Sequence, residues 1–201
     1  MYCDDSRRLF DEGFIEDKLS DEAQNLRGMK YYVLQVNLRT GKHHKQVIAE
    51  AINSIYRKYQ IKCVLLPIGR ASGHDDQVIL QKIHKRTLQS SIYIRHNNLF
   101  DTMFIIKNSV CYIGSSLHGA ITAMSYYVPH TALTSRSMKL INYIDTWNTS
   151  EVECVNTSEK IEEFVHDSLY TGTSLNLRKI EDAKLKVWNY LDVLKDALLR
   201  E

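Results

Sequence analysis

Two rhythms of apolar and polar residues alternate along the chain. Short, nearly continuous apolar runs read as strands buried on both faces, and stretches with an apolar residue every three or four positions read as amphipathic helices. Tyr31–Asn37 (YYVLQVN) is of the first kind, as is Ile61–Ile68 (IKCVLLPI). Between them Val47, Ala51, Ile55 and Tyr59 mark one face of a helix over Lys42–Tyr59. A loop, GRASGHDD, follows the second strand, and Asp75 or Asp76 is placed to cap a helix running to about Leu88. The same reading gives a third strand at Ser91–Arg95, a helix at Leu99–Lys107 and a fourth strand at Val110–Ile113. A helix at Ser115–Tyr127 ends before Pro129, and a fifth strand follows at His130–Leu133. Helices at Ser137–Thr146 and Glu159–Leu169, with a sixth strand at Val152–Val155 between them, complete the pattern.

Alternation of this kind predicts an α/β fold, a Rossmann-like three-layer domain with a mostly parallel sheet over residues 30–170. The two ends depart from it. Residues 1–29 carry no strand and read as a linker or a loose helical arm. Residues 171–201 read as one long helix with a seam of Leu177, Ile180, Val187, Leu191, Leu194 and Leu198. That seam must cover the domain's own sheet, a partner chain or a second domain.

Composition narrows the classes. No apolar run approaches the roughly 18 residues of a membrane span, and the N-terminus lacks an apolar signal core. The expected location is cytoplasmic, with the inner face of the membrane as a variant. Cys3, Cys63, Cys111 and Cys154 form no CxxC pair, so reduced core thiols are expected, and no metal. A net charge of +2 gives no argument for nucleic acid. Eight acidic and four basic residues fall within residues 1–28, which leaves the remainder of the chain at +6.

Ligands of open parallel sheets bind outside the carboxyl ends of the strands. Here those ends carry Asn37, Arg39, Lys42, His43 and His44, then Arg70, Ser72, His74 and Asp75, then Arg95, His96 and Asn97. Ser115, Ser116 and His118 follow the fourth strand, and Thr134, Ser135, Arg136 and Lys139 the fifth. Such an edge is cationic and titrates near neutrality, which suits an anionic small molecule. His118 stands in the first turn of a helix, where unpaired N–H groups and the helix dipole favour anions, and Gly114 and Gly119 flank it. Plain readings stand beside these. His118 can be an ordinary cap-region residue, Arg39 a surface ion-pair partner, and His43–His44 a solvated helix start. His74 beside two aspartates is a weak metal signal, and His84 and His166 fall on exposed helix faces. Cys111 reads as a core thiol and Tyr126–Tyr127 as packing.

The segment CYIGSSLHGAITAMSYYVPHTAL resembles the signature region of the polysaccharide pyruvyl transferase family. In that family a strand runs into an Arg-Leu-His-(Gly/Ala/Ser) turn, an Ala-rich helix and a Gly-Val-Pro-like turn. Leu117, His118, Gly119, Ala123, Val128, Pro129 and Leu133 fit this pattern. YYVLQVNLR resembles the family's strand ending in an arginine, here Arg39, and CVLLPIG with GHDD resembles its next strand and loop. Lys139 matches a lysine after the last strand. Ser116 stands where the family has arginine.

The resemblance covers about Tyr31 to Leu169 and implies the C-terminal domain of a GT-B-type architecture, whose active site lies between two Rossmann-like domains. It implies transfer of a pyruvyl group from phosphoenolpyruvate to a sugar as a ketal, in cell-surface polysaccharide biosynthesis and without a cofactor. The acceptor would be a saccharide or a lipid-linked oligosaccharide. His118 and Arg39 would be catalytic. Arg39, Arg70, Arg95, Ser115, Ser116, His118, Gly119 and Lys139 would bind substrate. The last helix would face an N-terminal domain or a second copy of the chain. Two other readings stay open. One is the nucleotide-sugar-binding half of a GT-B glycosyltransferase, although no acid suited to a ribose stands out between Ser135 and Tyr143. The other is a non-catalytic member of the family.

Overall fold

The computed structural model describes residues 17–69, 76–133, 138–147, 154–170 and 177–198. Five parallel strands form one sheet in the order β3-β2-β1-β4-β5. They are β1 (Tyr31–Gln35), β2 (Lys62–Leu65), β3 (Ser91–Tyr93), β4 (Tyr112–Gly114) and β5 (His130–Ala132). The central strand β1 is buried along its whole length and pairs Val33 with Val64 on one side and with Tyr112 on the other. Both of its faces must therefore meet apolar layers, and its alternating residues do so.

Tyr32 and Leu34 face α2 (Leu38–Tyr59), α3 (Asp76–His84) and α7 (Ser158–Tyr170) through Ile48, Ile52, Ile79, Leu80, Phe164 and Val165. Tyr31 and Val33 face the opposite layer of α1 (Asp21–Gln24), α4 (Leu99–Lys107), α5 (Leu117–Ser125) and α6 (Met138–Trp147). The result is the expected three-layer α/β fold. Cys63 and Cys111 are core thiols, and burial pushes the Cys111 thiol up to about 12. Asn98 and Asp101 close a capping box on α4, which starts and ends where the sequence pattern places it.

Three expectations change. Residues 17–29, read as a linker or loose arm, are packed. Leu19, Ala23 and Leu26 enter the core, and the Ser20 amide donates to Asp101 Oδ1 at 2.8 Å. A short segment with three apolar residues at helical spacing is docked when a groove receives them, and α4 supplies that groove. The sixth strand is not formed by the described part of Val152–Val155, residues 154–155, although the Val155 amide donates to the Ala132 carbonyl at 2.8 Å. The helix after β1 begins at Leu38 rather than Lys42, because Asn37 caps it by accepting from the Thr40 amide at 2.9 Å. That shift moves Arg39 from a loop onto a helix.

The final helix, α8 (Leu177–Leu198), lies against α6 and the end of α5. Of its predicted seam only the Leu191 side chain falls within the described residues, and it is 45% exposed. No helix among the described residues is long and apolar enough to cross a membrane.

Candidate functional site

The crossover after β1 leads to β2 on one side, and the crossover after β4 leads to β5 on the other. The carboxyl ends of β1 and β4 are thus a topological switch point, the place where a crevice opens in folds of this class. Two helices start there. α2 carries Arg39 in its first turn and α5 carries His118 in its first turn, and both side chains are exposed. Neither first turn contains an acidic residue, and α2 continues with Lys42, His43 and His44. Arg39 and Lys42 add positive charge to the positive end of the α2 dipole, which suits an anion.

The two turns are joined. The Asn37 amide donates to Ser115 Oγ at 3.0 Å, and the Ser115 amide donates to Gln35 Oε1 at 2.9 Å. Ser115 is buried and serves as a tie between the strand ends. Ser116 caps α5, accepting from the Gly119 amide at 3.4 Å, so its hydroxyl turns back on its own helix. The Ala120 amide bonds to the Ser116 carbonyl. Among the described residues, Leu117 and His118 keep the uncommitted amide donors of this turn.

Gly114 and Gly119 have a structural reason that does not involve an anion. A Cβ on either would lie 2.1 Å from the Tyr112 hydroxyl. The phenol runs up the end of β4 and under the first turn of α5. It donates to Gln35 Oε1 at 3.3 Å and accepts from the Ser116 amide, and burial holds its pKa above the ordinary range. Gly119 is therefore a buried close-approach residue, its amide already capped. Gly119 is expected from the resemblance to bind substrate, and its packing on Tyr112 is by itself a reason for a glycine there.

The remaining candidates are dispersed. Arg95 follows β3 at the sheet's outer edge, two strands from β1, and its amide donates to Glu22 Oε2 at 2.7 Å. Its charge lowers the pKa of His84 below the usual value, second to desolvation of that ring, whose Nδ1 pairs with Ser91 Oγ at 2.8 Å. Lys139 is exposed in the first turn of α6, beyond β5. Arg70, His74 and Asp75 lie outside the described residues, as do residues 134–137. Among the described residues no group of three or more His, Cys, Asp or Glu is placed to hold a metal ion.

Asp76 behaves differently from its expected capping role. It opens α3, yet its carboxylate turns back, and Oδ2 accepts from the amides of Ile68 at 3.0 Å and Gly69 at 2.7 Å. Gln35 went unnoticed in the sequence. A glutamine inside the apolar run YYVLQV is the signal that marked it, since a buried polar side chain needs designated partners.

No protein-family model and no curated protein sequence matches the chain. Solved structures do match in fold. A Methanocaldococcus jannaschii UDP-GlcNAc 2-epimerase in complex with UDP-GlcNAc and UDP aligns with a TM-score of 0.59 at 14% identity, over 86% of this chain and 49% of that one. A UDP-GlcNAc 2-epimerase from Neisseria meningitidis bound to UDP-GlcNAc gives 0.56 at 12% identity, over 92% and 50%. An Escherichia coli trehalose-6-phosphate structure bound with UDP-2-fluoro glucose gives 0.54 at 12%, over 85% and 43%. The chain spans half or less of the length of each of these. It has the fold of one Rossmann-like half of a GT-B-type protein.

Proposed function

We propose that the chain is the donor-binding half of a polysaccharide pyruvyl transferase, with phosphoenolpyruvate seated at the β1–β4 switch point. One observation supports this most directly. Arg39 and His118, the two residues that the family resemblance marks, stand on neighbouring helix starts tied by the Asn37–Ser115 hydrogen bond. Phosphoenolpyruvate carries two anionic groups, and this arrangement offers a guanidinium on one helix start and an imidazole with free amide donors on the other. Arg39 can grip a carboxylate or phosphate with two parallel N–H bonds. The Leu117 and His118 amides, with the His118 imidazole, suit the other group. Each turnover would form two bonds from carbon 2 of the donor to sugar oxygens and break its bond to the phosphate oxygen; of the two hydroxyl protons freed, one goes to carbon 3 and the other leaves with inorganic phosphate. The exposed His118 imidazole is suited to hold or pass one of those protons.

A second reading is favoured by the fold neighbours solved with UDP-sugars. The same positive turns would then hold the diphosphate of a nucleotide sugar. Calorimetric titration of the chain with phosphoenolpyruvate and, separately, with UDP-GlcNAc distinguishes the two. Arg39→Ala and His118→Ala should each weaken phosphoenolpyruvate binding at least about tenfold, the loss of one charge-assisted contact. Wild-type affinity in both variants would overturn the assignment, and UDP-GlcNAc binding alone would favour the second reading.

A further inference from the structure

We propose that Gln35 and Asp76 are positioning residues that hold the turns after β1, β2 and β4 in one arrangement, so that the β2 turn helps orient the His118 turn. Both ends of the Gln35 amide are engaged. Nε2 donates to Asp76 Oδ2 at 2.8 Å, while Oε1 accepts from the Ser115 amide and the Tyr112 hydroxyl. The same Asp76 oxygen accepts from the Ile68 and Gly69 amides. Gln35 is 2% exposed and Asp76 1%. Asn97 Nδ2 extends the chain of bonds outward by donating to the Pro67 carbonyl at 3.0 Å.

A carboxylate buried beneath a positively charged edge is expensive to desolvate. An apolar pair would fill the space without that cost. It would also leave the half-buried Ile68 and Gly69 amides without their carboxylate acceptor, and the Ser115 amide with only the Gln35 carbonyl, at 3.3 Å. The network therefore fixes the direction of three main-chain turns rather than merely occupying volume. Ser115 directly precedes the cap of α5, so the orientation of its peptide determines how the Leu117 and His118 amides face the crevice. Asp76 reaches that turn through Gln35.

This inference rests on the proposed reading for the identity of the ligand, whereas the coupling is a property of the unliganded chain. The test is amide NMR of the unliganded protein carrying Asp76→Asn, with circular dichroism to confirm the fold. Ser115–His118 amide resonances should shift, and exchange at Ser115 should rise about tenfold, as Gln35 Oε1, no longer fixed by a carboxylate on its Nε2, holds the Ser115 amide less firmly. Changes confined to residues 66–80 would overturn the proposal. Gln35→Met, close in volume, is the second variant. It should move Gly69 and Ser115 together, and movement of Ser115 alone would overturn the coupling. With phosphoenolpyruvate, both variants should bind about tenfold more weakly than wild type. Equal binding by wild type and variants would remove the positioning role. A wild type that binds no phosphoenolpyruvate would reject the ligand reading and leave the NMR result decisive for the coupling.

Discussion

At the residue scale, the turn that carries His118 is built around a phenol. Tyr112 needs Gly114 on its own strand and Gly119 on the helix above, because a methyl group at either position would overlap its hydroxyl. Gly119→Ala should destabilise the domain by about 1–3 kcal/mol through overpacking, partly offset by the better helix propensity of alanine. Urea denaturation measures it, and the loss should vanish in a Tyr112→Leu background. His130 makes a second residue-scale prediction. It is 1% exposed, its Nδ1–H donates to the Val128 carbonyl at 3.0 Å, and desolvation lowers its pKa below 6.5. The folded protein then takes up the proton less readily than the unfolded chain. Stability should be full above about pH 6.5 and fall as pH drops below it, by at most about 1.4 kcal/mol per pH unit. His130→Gln should flatten that acid limb in a series of thermal melts.

At the scale of elements, α8 is held by a small latch. Tyr127, just past α5, has φ of 58°, the left-handed region that favours glycine. Its hydroxyl donates to Glu181, and Lys184 Nζ lies 3.8 Å from its ring centroid. Lys184→Ala should remove about 0.5–2 kcal/mol of docking energy. Hydrogen exchange should then rise along α8 while β1 and β4 keep their protection. A tyrosine read as packing in the sequence thus anchors an element, and nothing in its neighbourhood of residues announces that. Legibility followed periodicity. Strands β1 and β2 and helices α4 and α7 are long or strongly patterned, and the sequence places their ends within three residues. Helix α5 came out shorter than read, because Ser116 caps it and Tyr126 ends it. The tie between Asn37 and Ser115 joins residues 78 apart, a distance over which local pattern carries no information. For the site, Arg39 was legible as a charge after the first strand and His118 as a histidine in the first turn of a helix. Gln35, Asp76 and Tyr112 were not, because their roles depend on partners that only the tertiary fold supplies.

At the scale of the whole molecule, the strand order divides the sheet into two contiguous stretches of sequence. Strands β1, β2 and β3 come from residues 31–93, and β4 and β5 from residues 112–132. They meet along one line, the β1–β4 pairing, and the candidate site stands at its carboxyl end. The two apolar layers differ in how they span this line. One is anchored by the long helix α2, whereas the other is assembled from α1, α4, α5 and α6, including the docked segment around Leu19–Leu26. Closing the β1–β4 line brings together the ends of a long intervening loop, which carries an entropic penalty that grows with its length. A molecule bound by Arg39 on one bank and His118 on the other adds its own binding free energy to that closure. Occupancy would then act as a staple across the sheet, so that the ligand protects the protein from coming apart along its longest-range seam.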